Sequence, residues 1–225
     1  MVLMTVIVTT VFCTAAASAA SVKVLSTEKV KGDGKYRYSY NAKGKLTKIS
    51  RNGKSYRNFT YNKSGRLVKM SYVDHGAKGT VNYKYDKKHR LSKSVDKGCN
   101  QVTKYYYKKT GKRPCKIVTT KKQNKYVTHV NPTTKMYWNK FNLPTKWNDY
   151  GVSTNRAQYN KKGHKVKSPD GRYTYKYSKN KFRQNRNGKW YRTCTFKTIK
   201  VKTKKQAKDA KKAQYLIVDH RMPVI

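Results

Sequence analysis

Beyond residue 35 the chain alternates aromatic and polar residues in short runs. Tyr36, Tyr38 and Tyr40 alternate, as do Phe59 and Tyr61, Tyr83 and Tyr85, and Tyr105 and Tyr107. Residues two apart lie on one face of a strand, so each run predicts a strand with an aromatic face. A turn signal follows each run. The units read Tyr40-Asn41-Ala42-Lys43-Gly44-Lys45-Leu46, Tyr61-Asn62-Lys63-Ser64-Gly65-Arg66-Leu67, Tyr85-Asp86-Lys87-Lys88-His89-Arg90-Leu91 and Tyr107-Lys108-Lys109-Thr110-Gly111-Lys112-Arg113. A weaker unit starts at Trp138, another at Tyr159, and a degenerate seventh at Tyr177. The first six lead aromatics stand 21, 24, 22, 31 and 21 residues apart.

The chemistry of one unit predicts a β-hairpin. Asn or Asp after the aromatic ties a turn through its side chain. Gly four residues after the aromatic takes the left-handed backbone that ends a hairpin loop with a bulge; His89 and Asn142 stand there in two units. A lone hairpin is marginal in water, but stacked hairpins bury their faces against one another. The expected fold is mostly β: tandem antiparallel hairpins forming an elongated or curved sheet, with strip and closed barrel both open.

The texture changes near the C-terminus. Pro169-Asp170-Gly171 signals a turn, and Tyr173, Tyr175 and Tyr177 alternate after it. Lys189 to Val201 continues in strand-like steps. Thr203-Lys204-Lys205-Gln206 is a capping box, and Ala207, Ala210 and Ala213 predict a short helix to about Gln214. Tyr215-Leu216-Ile217-Val218 reads as a buried strand. The organisation expected is residues 1–20 as a signal peptide, 21–35 as an N-terminal linker or first strand, 36–168 as the hairpin repeats, and 169–225 as a basic β+α cap.

Met1–Ala20 carries no charge. An apolar stretch from Val2 to Phe12 is followed by small residues and Ala17-Ser18-Ala19, the layout of a secretory signal with its cleavage site. The basic residue that usually opens such a signal is missing; the first is Lys23. No second stretch is long enough to span a membrane, so no stable transmembrane anchor is expected. The mature chain would keep Cys99, Cys115 and Cys194. Their spacing fits neither a zinc knuckle nor a redox pair; the simplest disulfide joins Cys99 to Cys115.

The Tyr-Asn-x-x-Gly-x-Leu strings resemble the tyrosine–aspartate (YD, Rhs-type) repeats of bacterial surface and secreted proteins. The resemblance covers roughly residues 36–165. Tyr61, Asn62, Gly65, Arg66 and Leu67 match best, with Asn for Asp. In the next unit His89 replaces the glycine, and in the first Lys45 replaces the arginine. The resemblance implies β-sheet strips or shells. The Lys/Tyr-rich texture around Asn187-Gly188-Lys189-Trp190-Tyr191 is also similar to wall-binding modules of Gram-positive surface proteins.

Charge turns this fold reading into a functional one. The chain has 55 Lys+Arg against 9 Asp+Glu, a formal net charge of +46. Leu, Ile, Val and Phe make up only about 15% of the chain beyond residue 21, a share usually typical of disorder. The 20 Tyr, all beyond residue 35, supply the missing apolar surface. Such charge repels itself and attracts polyanions. Lysines outnumber arginines 43 to 12, which favours broad attraction over fixed bidentate contacts. Lys97–Asn148 holds 13 basic residues and no acid, and Gly171–Lys208 holds 14 and none. The contact residues expected from these tracts are Lys104, Lys108, Lys109, Lys112, Arg113, Lys121, Lys122, Lys176, Lys179, Arg183, Arg186, Lys189 and Arg192.

Catalytic chemistry finds little support. His75, His89, His129, His164 and His220 form no compact metal pattern, and no phosphate loop or nucleophile elbow occurs. Asp74-His75 and Asp219-His220-Arg221 are the only acid–histidine neighbours. The reading is a secreted or surface-associated, non-catalytic protein without cofactor. It would bind anionic envelope polymers such as teichoic acid, or extracellular DNA or anionic lipid. The alternatives are a secreted toxin or antimicrobial acting on anionic membranes, and an extracellular nuclease or other hydrolase.

Overall fold

The computed structural model describes residues 19–220 apart from 75, 124–125, 139–143, 150–151, 154–157, 160, 162–164 and 168–171. The sequence expectations for residues 1–18, for His75, for the turn residues Asn142, Gly163 and Pro169–Gly171, and for Arg221 lie outside these. The described elements are β1 (Ala20–Val30), β2 (Gly34–Tyr40), β3 (Leu46–Arg51), β4 (Lys54–Tyr61), β5 (Leu67–Asp74), β6 (Ala77–Tyr85), β7 (Leu91–Asp96), β8 (Gln101–Tyr107) and β9 (Pro114–Gln123). They continue as β10 (Tyr126–Trp138), β11 (Pro144–Asp149), β12 (Val152–Ser153), β13 (Gln158–Tyr159), β14 (Lys165–Lys167), β15 (Tyr173–Tyr177), β16 (Lys181–Arg186), β17 (Lys189–Val201) and α1 (Lys204–His220). The strands form one antiparallel sheet joined by sequential hairpin connections.

The six lead aromatics found in the sequence share one structural position. Each is the residue at which the register slips: Tyr40 faces Leu46, Tyr61 faces Leu67, Tyr85 faces Leu91, Tyr107 faces Pro114, Trp138 faces Pro144 and Tyr159 faces Lys165. One extra residue in the returning strand, beginning with Thr47, Val68 and Ser92, makes the β-bulge. A bulge lets residues three apart share a face. Leu46 and Ile49, Leu67 and Met70, and Leu91 and Ser94 are all buried for this reason.

Local chemistry sets each turn. The Asn41 side-chain oxygen accepts from the backbone N–H of Lys43 and Lys45, at 3.0 and 3.0 Å. Asn62 accepts likewise from Arg66 and Asp86 from Arg90, both at 2.8 Å. Gly44, Gly65 and His89 take φ of 75°, 76° and 63°. Gly111 does not follow them: Tyr107 pairs with Pro114, so that loop is longer by a residue. At the opposite hairpin end, Asn52-Gly53 and Asn187-Gly188 have φ of 49° and 81° and of 48° and 77°, the paired positive values of a two-residue hairpin loop.

Successive units are joined by tyrosine hydroxyls. Tyr40 donates to the Leu25 carbonyl at 2.8 Å. Tyr61, Tyr85 and Tyr107 donate to the carbonyls of Leu46, Leu67 and Leu91, each at 2.7 Å. A bulge disrupts the ladder beside it, and the next hairpin's phenol supplies a donor there. The acceptor residues Leu25, Leu46, Leu67 and Leu91 are themselves buried. Their cluster takes in Tyr36, Tyr38, Tyr56, Phe59, Tyr83 and Phe182 beside Val30, Ile49, Met70 and Val81, a mixed core in which aromatic rings supplement the aliphatic side chains.

The sheet curls back on itself. β17 pairs with β1 from Ala20↔Val201 to Val30↔Arg192, and β1 continues into β2. Every other consecutive pair is laddered except β12 and β13, for which no ladder is described. Residues 153 and 158 are separated by only four residues of chain and so lie at most about 18 Å apart. A flat sheet of this many strands would spread its edges about 75 Å, so this one rolls into a barrel-like ring.

α1 lies against the β1–β17 end of the sheet. Thr203 caps it, its hydroxyl accepting from the Gln206 N–H at 3.2 Å. Ala210 packs with Val22, Val24 and Val201, and Gln214 accepts from the Leu25 N–H at 2.7 Å. The expected strand at Tyr215–Val218 is corrected: the helix runs through to His220. An apolar run this short does not separate strand from helix, and extending a nucleated helix is cheaper than starting a strand. Gly44 serves both turn and helix. A Cβ there would sit 3.0 Å from the Ala210 Cβ and 3.1 Å from a Val201 methyl.

Two predictions follow from turn and core. Gly53 has a similar φ with nothing near its missing Cβ. Gly53→Ala should therefore cost the backbone term alone, about 1–2 kcal/mol, and Gly44→Ala measurably more, read as urea midpoints. Equal losses would refute the helix contact. The second concerns pH. Burial pushes the phenols of Tyr40, Tyr61 and Tyr83 above their ordinary value, and those of Tyr85 and Tyr107 up to about 12. An unfolded chain releases these protons near 10, so it binds fewer than the folded one between the two values. Stability should be level below pH 10 and fall as pH climbs through 12. Phenolate absorbance and sheet circular dichroism should change together; full tyrosine ionisation near pH 10 with the sheet intact would contradict this.

Candidate functional site

Strand alternation sorts the charges. Inward of the β15–β2 region point Gln184, Arg192, Cys194, Glu28, Val30 and Tyr36, all buried. The residues between them face outward. Register places Lys176 beside Arg183, Arg183 beside Thr193, Thr193 beside Lys29, and Lys29 beside Lys35. Four cations thus lie in one row across five neighbouring strands, and all four are exposed. A second row holds Lys181, Thr195, Thr27 and Arg37. Directly opposed cross-strand residues are about 5 Å apart, and like charges there repel. A bound anion relieves that repulsion.

A similar row crosses β6, β7 and β8, where Lys84 faces Lys93 and Lys93 faces Lys104. Beside it, the Lys116 ammonium lies 5.3 Å from the centre of the Tyr106 ring, and Tyr106 is exposed. Lysine heads with an open ring face suit a flexible anionic chain.

The acids do little to offset these rows. Asp33 pairs with Arg51, and Asp86 with Arg90 at 2.8 Å. The N–H of Arg90 is the first cause holding the Asp86 carboxyl below its ordinary value. Asp96 accepts from the Tyr72 hydroxyl at 2.9 Å and the Gly98 N–H at 2.9 Å. Glu28 is fully buried; Arg192 pairs with it at 2.6 Å, and the Tyr38 hydroxyl donates to it.

Of the residues expected from sequence, Lys104, Lys108, Lys109, Lys112, Lys121, Lys176, Lys179, Arg183, Arg186 and Lys189 are exposed. Lys122 lies in β9. Arg113 is half-buried, and burial lowers its pKa. Arg186 and Lys189 face each other across β16 and β17, with Arg186 6.0 Å from the Tyr173 ring centre. Arg192 is placed in the core, on Glu28, away from the surface rows. Lys29, Lys35, Arg37, Lys84 and Lys93 were not anticipated. Their alternation with buried neighbours is a sequence signal for their face. Joining Lys29 and Lys35 to Arg183 requires the β1–β17 pairing, which has no local signature.

Cys99 and Cys115, the simplest pairing left open by the sequence, form no disulfide. None of Cys99, Cys115 and Cys194 is in a disulfide; Cys99 contacts the Tyr72 hydroxyl at 3.3 Å, and Cys115 donates to the Tyr106 carbonyl at 3.5 Å. Among the described residues no three His, Cys, Asp or Glu side chains gather as metal ligands. None of the described helices is long and apolar enough to cross a membrane.

The chain is similar to the crystal structure of a porin-like protein from Bacteroides uniformis, with a TM-score of 0.37 and 11% identity, over 79% of this chain and 97% of that one. No protein-family model matches the chain, and no curated protein does.

The buried ion pair yields a prediction. Arg192→Met strands the Glu28 charge and should cost about 3–5 kcal/mol in urea unfolding. Combining it with Glu28→Leu should recover most of that loss. A single variant as stable as the parent would contradict the pairing.

Proposed function

We propose that this protein is exported and binds anionic polymers of the cell envelope, teichoic acid being the type case, through the cationic rows on its outer sheet face. The observation that carries this reading is the row Lys176, Arg183, Lys29 and Lys35, four exposed cations in one line, with Thr193 between Arg183 and Lys29, on strands from both ends of the chain. Counterion release makes such a surface bind polyphosphates regardless of sequence. Export chooses the polymer: Met1–Ala20 reads as a signal, with Ala17-Ser18-Ala19 as its cleavage site. The kinship of the hairpins with YD repeats belongs to this proposal and supports a surface role.

Retention of the protein on purified wall teichoic acid should fall steeply between about 50 and 200 mM salt. Replacing Lys29, Lys35, Lys176 and Arg183 by Gln should lower the log–log salt slope by about 3 while leaving the sheet's circular dichroism unchanged. Salt-independent retention, or an unchanged slope in the variant, would defeat the reading.

A further inference from the structure

A second basic feature lies away from the seam rows. Where α1 passes the turns after Tyr40 and Tyr61, a cleft of about 440 Å³ opens between helix and turns. Five lysines line it: Lys43, Lys45, Lys63, Lys205 and Lys212. Asp209 is the single carboxylate among them, and no arginine joins them among the described residues. Lys45 lies 5.4 Å from the Tyr61 ring centre and is half-buried. The helix flanks the cleft from Lys205 to Ala213, and its first turn holds no acid.

Two details describe the occupant. Lysines are point charges that approach an anion from any direction, whereas a planar carboxylate is favoured by an arginine fork. Lysines converging from two turns and a helix suit a tetrahedral dianion. The Gln206 side-chain oxygen, also in the lining, is buried without a hydrogen-bond partner. It is an acceptor, and leaving it unmet is costly. A ligand hydroxyl would satisfy it.

We infer that this cleft binds a phosphate monoester of a polyol, the phosphate among Lys43, Lys45, Lys63 and Lys205 and a hydroxyl donating to Gln206. The site stands apart from the surface rows and does not depend on them. The same chemistry occurs in free polyol phosphates and at the phosphorylated ends of polyol-phosphate polymers.

Titration calorimetry of the folded chain at physiological salt tests this. Glycerol 3-phosphate should bind once per chain, more tightly than inorganic phosphate, with no heat from glycerol. Lys45→Gln with Lys63→Gln should weaken it at least tenfold. Gln206→Met should weaken glycerol 3-phosphate and leave inorganic phosphate unchanged. The variant lacking Lys29, Lys35, Lys176 and Arg183 should bind glycerol 3-phosphate normally, which separates failure of the cleft from failure of the surface rows. A glycerol-phosphate oligomer that competes in proportion to its phosphorylated ends assigns the site to polymer ends; one that does not compete assigns it to the free ester. Glucuronate binding as tightly as glycerol 3-phosphate, equal affinity for inorganic phosphate, or indifference to the paired lysine variant would overturn the inference.

Discussion

The hydrogen bonds from Tyr40, Tyr61, Tyr85 and Tyr107 to the leucine carbonyl of the preceding unit are the contacts on which the sheet depends. A bulge is needed in every unit, because only a bulge puts Leu46 and Ile49, or Leu67 and Met70, on the buried face together. Each bulge interrupts the ladder. The phenol of the next hairpin reaches that gap at 2.7–2.8 Å and covers the leucine with its ring. One side chain thus supplies a polar donor and an apolar lid, which no aliphatic residue does. A chain this poor in aliphatic residues builds a core because its tyrosines do both jobs. The dependence runs from unit to unit, as in repeat proteins generally.

Charge is the opposing constraint. The fold answers it by separating signs. Asp33, Asp86 and Glu28 are consumed in ion pairs, whereas the lysines alternate outward and lie opposite one another in register. Pairing like charges across strands is unfavourable, so the register is held by the inner face and the turns against the preference of the outer one. A surface arranged this way would gain from any anion that settled on it, so the polymer binding proposed above would also stabilise the sheet.

How much of this was legible follows from range. The units, their turn residues and their aromatic face were visible because Asn41, Asn62 and Asp86 act on residues two to four positions away. The bulge was legible only in outline, through the glycine at fixed offset. Closure by β1 and β17 joins residues about 170 positions apart, and nothing in either strand announces its partner. Arg192 was misjudged for the same reason. In a tract without acids it reads as one more surface cation, and only the arrival of Glu28 from the other end of the chain takes it inside. Tyr215–Val218 failed differently: composition marked it as apolar but did not say which backbone would carry it.

The seam between β1 and β17 is where these threads meet. Leu25 and Glu28 are three apart and both buried across a slip in register, as Leu46 and Ile49 are in the next unit. β1 is therefore the returning strand of a repeat, completed by β17 in place of a neighbour in sequence. Where Ile49 and Met70 are apolar, this unit carries Glu28, bound to Arg192 of β17 and Tyr38 of β2. A buried ion pair contributes little net stability, yet each half strongly disfavours any arrangement lacking the other. Apolar residues at those positions would accept many strand partners; a buried carboxylate accepts only the one that brings the guanidinium. The pair thereby favours β17 as the partner of β1 in this register. The same register lays Lys29 and Lys35 beside Arg183 and Lys176 on the opposite face, so the buried pair and the exposed row are two consequences of one alignment.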